Sequence, residues 1–184
     1  MDEKNPETAS VRIDAWIDLA CAHCRTQASV LDALQEELGA TLELAWHAFE
    51  LRPEPTPLRA GEPRTRQAFE AIEFARDAER EHEMRRALFA AHDARRDLGD
   101  VEVLVVEAAR LGLDGAALRD ALFDHRYTPR VVADESRAEG LGIRAVPMLV
   151  IRRAGVPVEA GLGVSGAADL EQVRRVVRKA LTSS

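Results

Sequence analysis

The stretch VRIDAWIDLACAHC, residues 11–24, decides how this chain is read. Val11, Ile13, Ala15 and Ile17 alternate with Arg12, Asp14 and Trp16, the period-two pattern of a strand with one buried face. The strand runs straight into the chain's two cysteines, Cys21 and Cys24. From about Ala22 the period becomes helical: Leu31, Leu34 and Leu38 share one stripe, and Gly39 stands where the chain needs a left-handed residue to stop. The cysteine motif therefore opens a helix. Leu42, Leu44 and Trp46 alternate again, giving a second strand that ends near Phe49. The unit reads β-α-β, with its two strands expected to lie parallel.

Cysteines three positions apart admit a structural bridge, part of a metal site, or a working thiol pair. A bridge between positions i and i+3 closes so short a loop that it restrains little of the unfolded chain and contributes little stability. Zinc needs about four ligands, and His47, His82, His92 and His125 are scattered singly without metal-ligand spacing, so no metal is expected. Thiol chemistry remains. Cys21 sits where the unpaired N–H groups of a helix start and the helix dipole favour a thiolate, and His23, when protonated, adds to that field. Cys24, further into the turn, is expected to be shielded and to act as the resolving thiol. Ala22 and His23, between them, are the candidates for tuning the pair.

Beyond the second strand, RPEPTPLRAGEP at 52–63 carries four prolines and a glycine and reads as a loop. A charged helical region follows, with Phe69, Ile72, Met84, Leu88 and Phe89 as its expected buried positions. The run EFARDAEREHEMRR within it mixes acids and bases at helical spacing and reads as a solvated face. Asp100 is a candidate N-cap for VEVLVVEAARL, Gly112 its stop, and DGAALRDALF another short helix, with Phe123 expected in the core. Thr128-Pro129 starts a further helix that stops near Gly140 or Gly142. Met148–Ile151 and Val156–Ala160 read as a hairpin, and Ser165 as the cap of a closing helix with Leu170, Val173, Val176, Val177 and Leu181 inward. The expected fold class is α/β. Its first part spans residues 1–62 (β-α-β), a helical insertion spans 63–127, and the second part spans 128–184 (α-β-β-α).

With 184 residues and 46% apolar content, the chain can build a full core without disulfides or metal. A net charge of -7 opposes binding to phosphate backbones or anionic lipid, so neither nucleic acid nor a membrane is an expected partner. The polar opening MDEKNPETAS lacks the apolar stretch of a secretory signal, which makes a cytoplasmic location the expectation.

Three stretches, IDLACAHC, LAWHAFELRPEP and LGIRAVPMLVI, carry a resemblance to the DsbA family of thioredoxin-fold oxidoreductases, in particular its FrnE-like branch. The resemblance extends from about residue 11 to 181 and implies a thioredoxin-like fold with a helical domain inserted after the second strand. It further implies that Pro147 is cis beside the reactive cysteine, and that Val146 pairs its backbone with an extended substrate. The activity it implies is thiol-disulfide exchange with protein or peptide substrates, without a cofactor, recharged by a cellular thiol reductant or oxidant. Ala22 and His23 depart from the proline and aromatic residue often found between the cysteines of that branch. Related isomerases and glutathione transferases generally carry serine at the reactive position. The alternative, an isomerase or transferase-like enzyme for small aromatic or polyketide-type molecules, must accommodate Cys21 there.

Overall fold

The computed structural model describes residues 10–182, which form two compact units. The first comprises residues 10–17, 21–47 and 138–182. Its four-stranded sheet has the order β2-β1-β3-β4, with β1 at Val11–Ile17, β2 at Leu42–Ala48, β3 at Met148–Arg153 and β4 at Leu162–Ser165. β3 runs antiparallel to both β1 and β4. Helix α1, Ala22–Leu38, buries Cys24, Gln27, Ala28, Leu31 and Leu34 along one stripe and ends at Gly39, whose φ of 53° is the positive value anticipated there. The last helix of the chain, Leu170–Thr182, packs on β1 and β3 with Val173, Val177 and Ala180 inward.

The chain's return after β3 differs from the expected hairpin. Residues Val158–Ala160 form a 3-10 turn, and the partner strand lies beyond it, at Leu162–Ser165. Pro157 cannot donate to a ladder. By contrast, glycines suit the true strand and its entry: a Cβ on Gly161 would lie 2.4 Å from Val150 Cγ1, and one on Gly163 would lie 2.9 Å from Met148 Cε. Ser165 therefore belongs to β4 and does not cap the closing helix. That helix is capped by Asp169, which accepts from the Gln172 N–H at 2.8 Å while the Gln172 side chain accepts from the Asp169 N–H at 2.8 Å.

The second unit comprises residues 18–20 and 48–137. Helix α2, Arg66–Arg76, lies at its centre and packs on α3 (Glu81–Asp93), α4 (Val101–Arg110) and α5 (Gly115–Phe123). That central position explains why Ala68, Phe69, Glu70, Ala71, Ile72, Glu73 and Ala75 are all buried, more of the helix than one amphipathic stripe. Asp100 and Asp114 cap α4 and α5 by accepting the N–H groups of Glu102 and Ala116, each at 2.9 Å. Phe123, expected in the core, is 85% exposed at the end of α5, because Leu118, Ala121 and Leu122 already fill that helix's inner face.

The helical unit begins at Ala48 and ends at Arg137, where the sequence reading sets its boundaries at 63 and 127. Hydrogen bonds show why it reaches further. Arg64 donates to the carbonyls of Arg52 (2.6 Å) and Thr56 (2.7 Å), tying in the proline-rich loop. At the other end, α6 (Thr128–Gly140) opens on α2: Thr128 Oγ1 donates to Glu70 at 2.6 Å, and Tyr127 and Arg130 donate to Asp77 at 2.8 and 2.7 Å.

One buried acid of this unit gives a pH signature. The Glu50 side chain is 2% exposed and shares the Arg66 guanidinium with Glu135, which accepts from Arg66 at 3.1 Å. Burial, reinforced by the Glu135 carboxylate and opposed by Arg66, pushes the Glu50 carboxyl from 4.5 up to about 7. Between those values the folded chain holds a proton that the unfolded chain has released, so the group's contribution falls as pH rises. A full proton difference is worth about 1.4 kcal/mol per pH unit. Glu50→Gln leaves Arg66 paired with Glu135 and is expected to flatten this decline in urea-denaturation midpoints measured from about pH 5 to 8. An unchanged slope would remove Glu50 as its source.

Candidate active site

β1 ends at Ile17, and Asp18, Leu19 and Ala20 lead from it to the first cysteine. Asp18 holds that turn with both oxygens: Oδ1 accepts from the Ala20 N–H at 2.9 Å and Oδ2 from the Leu51 N–H at 2.7 Å. Burial raises the Asp18 carboxyl, against the opposing pull of those N–H groups. The sequence reading does not single out Asp18. An aspartate at a strand end, followed two residues on by a backbone donor, is the Asx-turn signal that marks it.

Cys21 is the N-cap of α1, in extended conformation with φ of −94° and ψ of 116°. Its Sγ accepts from the Cys24 N–H at 3.4 Å, the position a serine or aspartate oxygen fills at an ordinary cap. Its carbonyl accepts from Arg25 N at 3.0 Å, so the helix begins immediately after the sulfur. The two cysteines differ sharply in access: Cys21 is half-buried, whereas Cys24 is 0% exposed. Ala22 and His23 are exposed between them. A helix-start N–H aimed at the sulfur stabilises negative charge there, in line with the helix dipole.

The Val146–Pro147 peptide is cis, and the Pro147 carbonyl accepts from Gly166 N at 2.9 Å. Met148 pairs with Trp16 in the β1–β3 register, which puts Pro147 one step beyond, level with Ile17. Sheet register thus brings residues 146–147 to the end of β1 from which the chain passes to Cys21. Val146 is half-buried and Pro147 buried.

His47, which the sequence reading places as a partly exposed strand-end residue, is instead buried in the sheet. Its Nε2 donates to Asp14 Oδ1 at 3.0 Å, and its ring stacks on Trp16 with centroids 4.5 Å apart. Among the described residues, no group of three or more histidines, cysteines or carboxylates could hold a metal ion. Nor is any helix there long and apolar enough to cross a membrane.

Residues 12–178 match the DSBA-like thioredoxin domain family, and the chain belongs to that family. Its fold is that of the solved members. A probable DsbA oxidoreductase from Streptomyces coelicolor is 21% identical, with 95% of this chain and 91% of that chain covered at a TM-score of 0.77. The alpha-DsbA1 of Wolbachia pipientis is 20% identical, with 94% of this chain and 86% of that chain covered at a TM-score of 0.74. In sequence, the chain is 27% identical over 190 residues to the uncharacterized protein YwbO of Bacillus subtilis, with 84% of this chain and 94% of YwbO covered. The α/β class and the helical domain inserted after the second strand agree with the expectation from the cysteine motif and its surroundings.

Proposed function

We propose that the protein exchanges disulfides with protein or peptide substrates through Cys21 and Cys24. One observation carries the reading: the sulfur of half-buried Cys21 accepts the Cys24 N–H in the first turn of α1, while Cys24 itself is buried. In the reducing direction the Cys21 thiolate attacks one sulfur of a substrate disulfide, forming a mixed disulfide and releasing one substrate thiolate. Cys24 then gives up its proton and attacks the Cys21 sulfur. The second substrate thiolate leaves, the substrate has gained two electrons, and the Cys21–Cys24 disulfide holds the oxidation. The reverse sequence oxidises a dithiol substrate. A cellular thiol or disulfide pool resets the pair, and in a cytoplasmic setting reductase or isomerase work fits better than bulk disulfide formation. Val146 and Pro147 form the substrate-facing loop of this proposal, and Ala22 and His23 tune the pair. Membership of the FrnE-like branch is part of the same proposal.

The direct test uses Cys24→Ser. Without its resolving thiol, the first attack is expected to stop at the mixed disulfide. Incubation with insulin should leave insulin bound to Cys21 through one mixed disulfide, visible by intact mass and released by dithiothreitol. An isomerase or transferase-like enzyme would show no such adduct and little dependence on Cys24, and that result would defeat the proposal.

A further inference from the structure

The helical unit contains a cleft of about 460 Å³ that thiol exchange does not use, lined among others by Glu50, Glu54, Arg64, Arg66, Glu70 and Thr128. Its size falls within the range of small-molecule sites. Its lining carries three glutamates and two arginines. Arg64 is engaged by the carbonyls of Arg52 and Thr56, and Arg66 lies between Glu50 and Glu135. Glu70 is wholly buried, with Oε1 held by the Thr128 hydroxyl at 2.6 Å, and its Oε2 has no hydrogen-bond partner among the described residues. A buried carboxylate oxygen left without a donor is costly and calls for one from outside the chain.

We propose that this cleft binds an organic cation through an alkylammonium group, with Glu70 as its principal acceptor and Glu54 at its rim. The ligand supplies several N–H donors, which a carboxylate-lined cleft with its arginines already engaged requires. Since no three metal-ligating side chains converge among the described residues, a compact divalent ion does not match the geometry, whereas an extended amine does. Either a free polyamine or a lysine side chain of a bound peptide presents this chemistry.

Calorimetric titration of the full chain with spermidine and, separately, with Nα-acetyl-lysine amide tests the proposal. Saturable one-to-one binding is expected with at least one probe. Spermidine alone would identify a free polyamine, and the lysine derivative would identify a peptide side chain. Glu70→Gln, nearly isosteric, and Glu54→Gln, in the loop, are each expected to weaken binding by about tenfold or more. Glu50 faces Arg66 and Glu135, with Glu70 and His125 also on the cleft wall. A cation entering beside Glu50 favours its carboxylate, so binding at about pH 7 should release protons, seen as an enthalpy that varies with the buffer. No binding by either probe, or binding equally strong in both variants, would overturn the proposal. Weak salt-sensitive association that neither substitution changes would count as attraction to the net negative chain and would overturn it as well. Cys21 and Cys24 are intact in every variant, so this outcome and that of the exchange assay are independent.

Discussion

Cys21→Ser is expected to lower the rate of insulin reduction by roughly 10³-fold or more, to the uncatalysed background. The substitution isolates the chemistry from the fold. Serine is among the best N-caps, so an oxygen at position 21 can still accept the Cys24 N–H that the sulfur accepts now, and α1 should start where it does. What is lost is a nucleophile that ionises near neutral pH. The geometry also predicts how the native thiol titrates. Free cysteine has a pKa of about 8.5, and a sulfur at a helix start is stabilised as the anion. Alkylation of Cys21 by iodoacetamide, followed against pH, should therefore show a midpoint below that of a free thiol. Retention of more than about a tenth of the parent rate by Cys21→Ser, or a midpoint no lower than free cysteine, would contradict the proposed role.

The cysteine helix is legible in the sequence because each of its signals is local. Apolar alternation gives way to helical spacing at Ala22, and Gly39 marks the stop. Asp100 is readable as a cap for the same reason. The end of the chain is harder. Apolar content alone makes Val156–Ala160 resemble a strand, but strand pairing is decided by what lies across the ladder. There, Gly161 and Gly163 fit against Val150 and Met148, a long-range constraint that no local window contains. Phe123 shows a similar limit: hydrophobic periodicity identifies a face, but Leu118, Ala121 and Leu122 have already filled it. Asp18 is visible in the sequence, yet its second partner, Leu51, lies 33 residues away. The partners of Glu50 and Glu70 on α6 are hidden for the same reason.

Removing Asp14 is expected to cause the largest loss of stability of any single substitution considered, about 3–5 kcal/mol for Asp14→Ala. Asp14 is buried in the middle of β1 and joins three strands. It accepts from His47 on β2 at 3.0 Å, from Arg152 on β3 at 2.9 Å, and from its strand neighbour Arg12 at 3.3 Å. Burial alone would raise its carboxyl, but His47, Arg12 and Arg152 together outweigh that and hold it well below the usual carboxylate range. With a lowered folded-state pKa, the contribution is complete above the unfolded value of 3.8 and is lost only as pH falls from there toward the folded value. The gap between parent and Asp14→Ala in urea midpoints should thus close as pH falls below 3.8. The Arg152 guanidinium, buried and left facing a cavity, accounts for most of the loss, whereas Arg12 keeps its ion pair with Glu43; breaking a buried ion pair is far more damaging than never having built one. The double replacement Asp14→Leu with Arg152→Met removes both charges and fills the space, and is expected to recover much of the lost stability. If Asp14→Ala lies within about 0.5 kcal/mol of the parent, the network is not what holds the three strands in register. If the double replacement is as unstable as the single one, the cost comes from lost packing or hydrogen bonding and not from stranded charge.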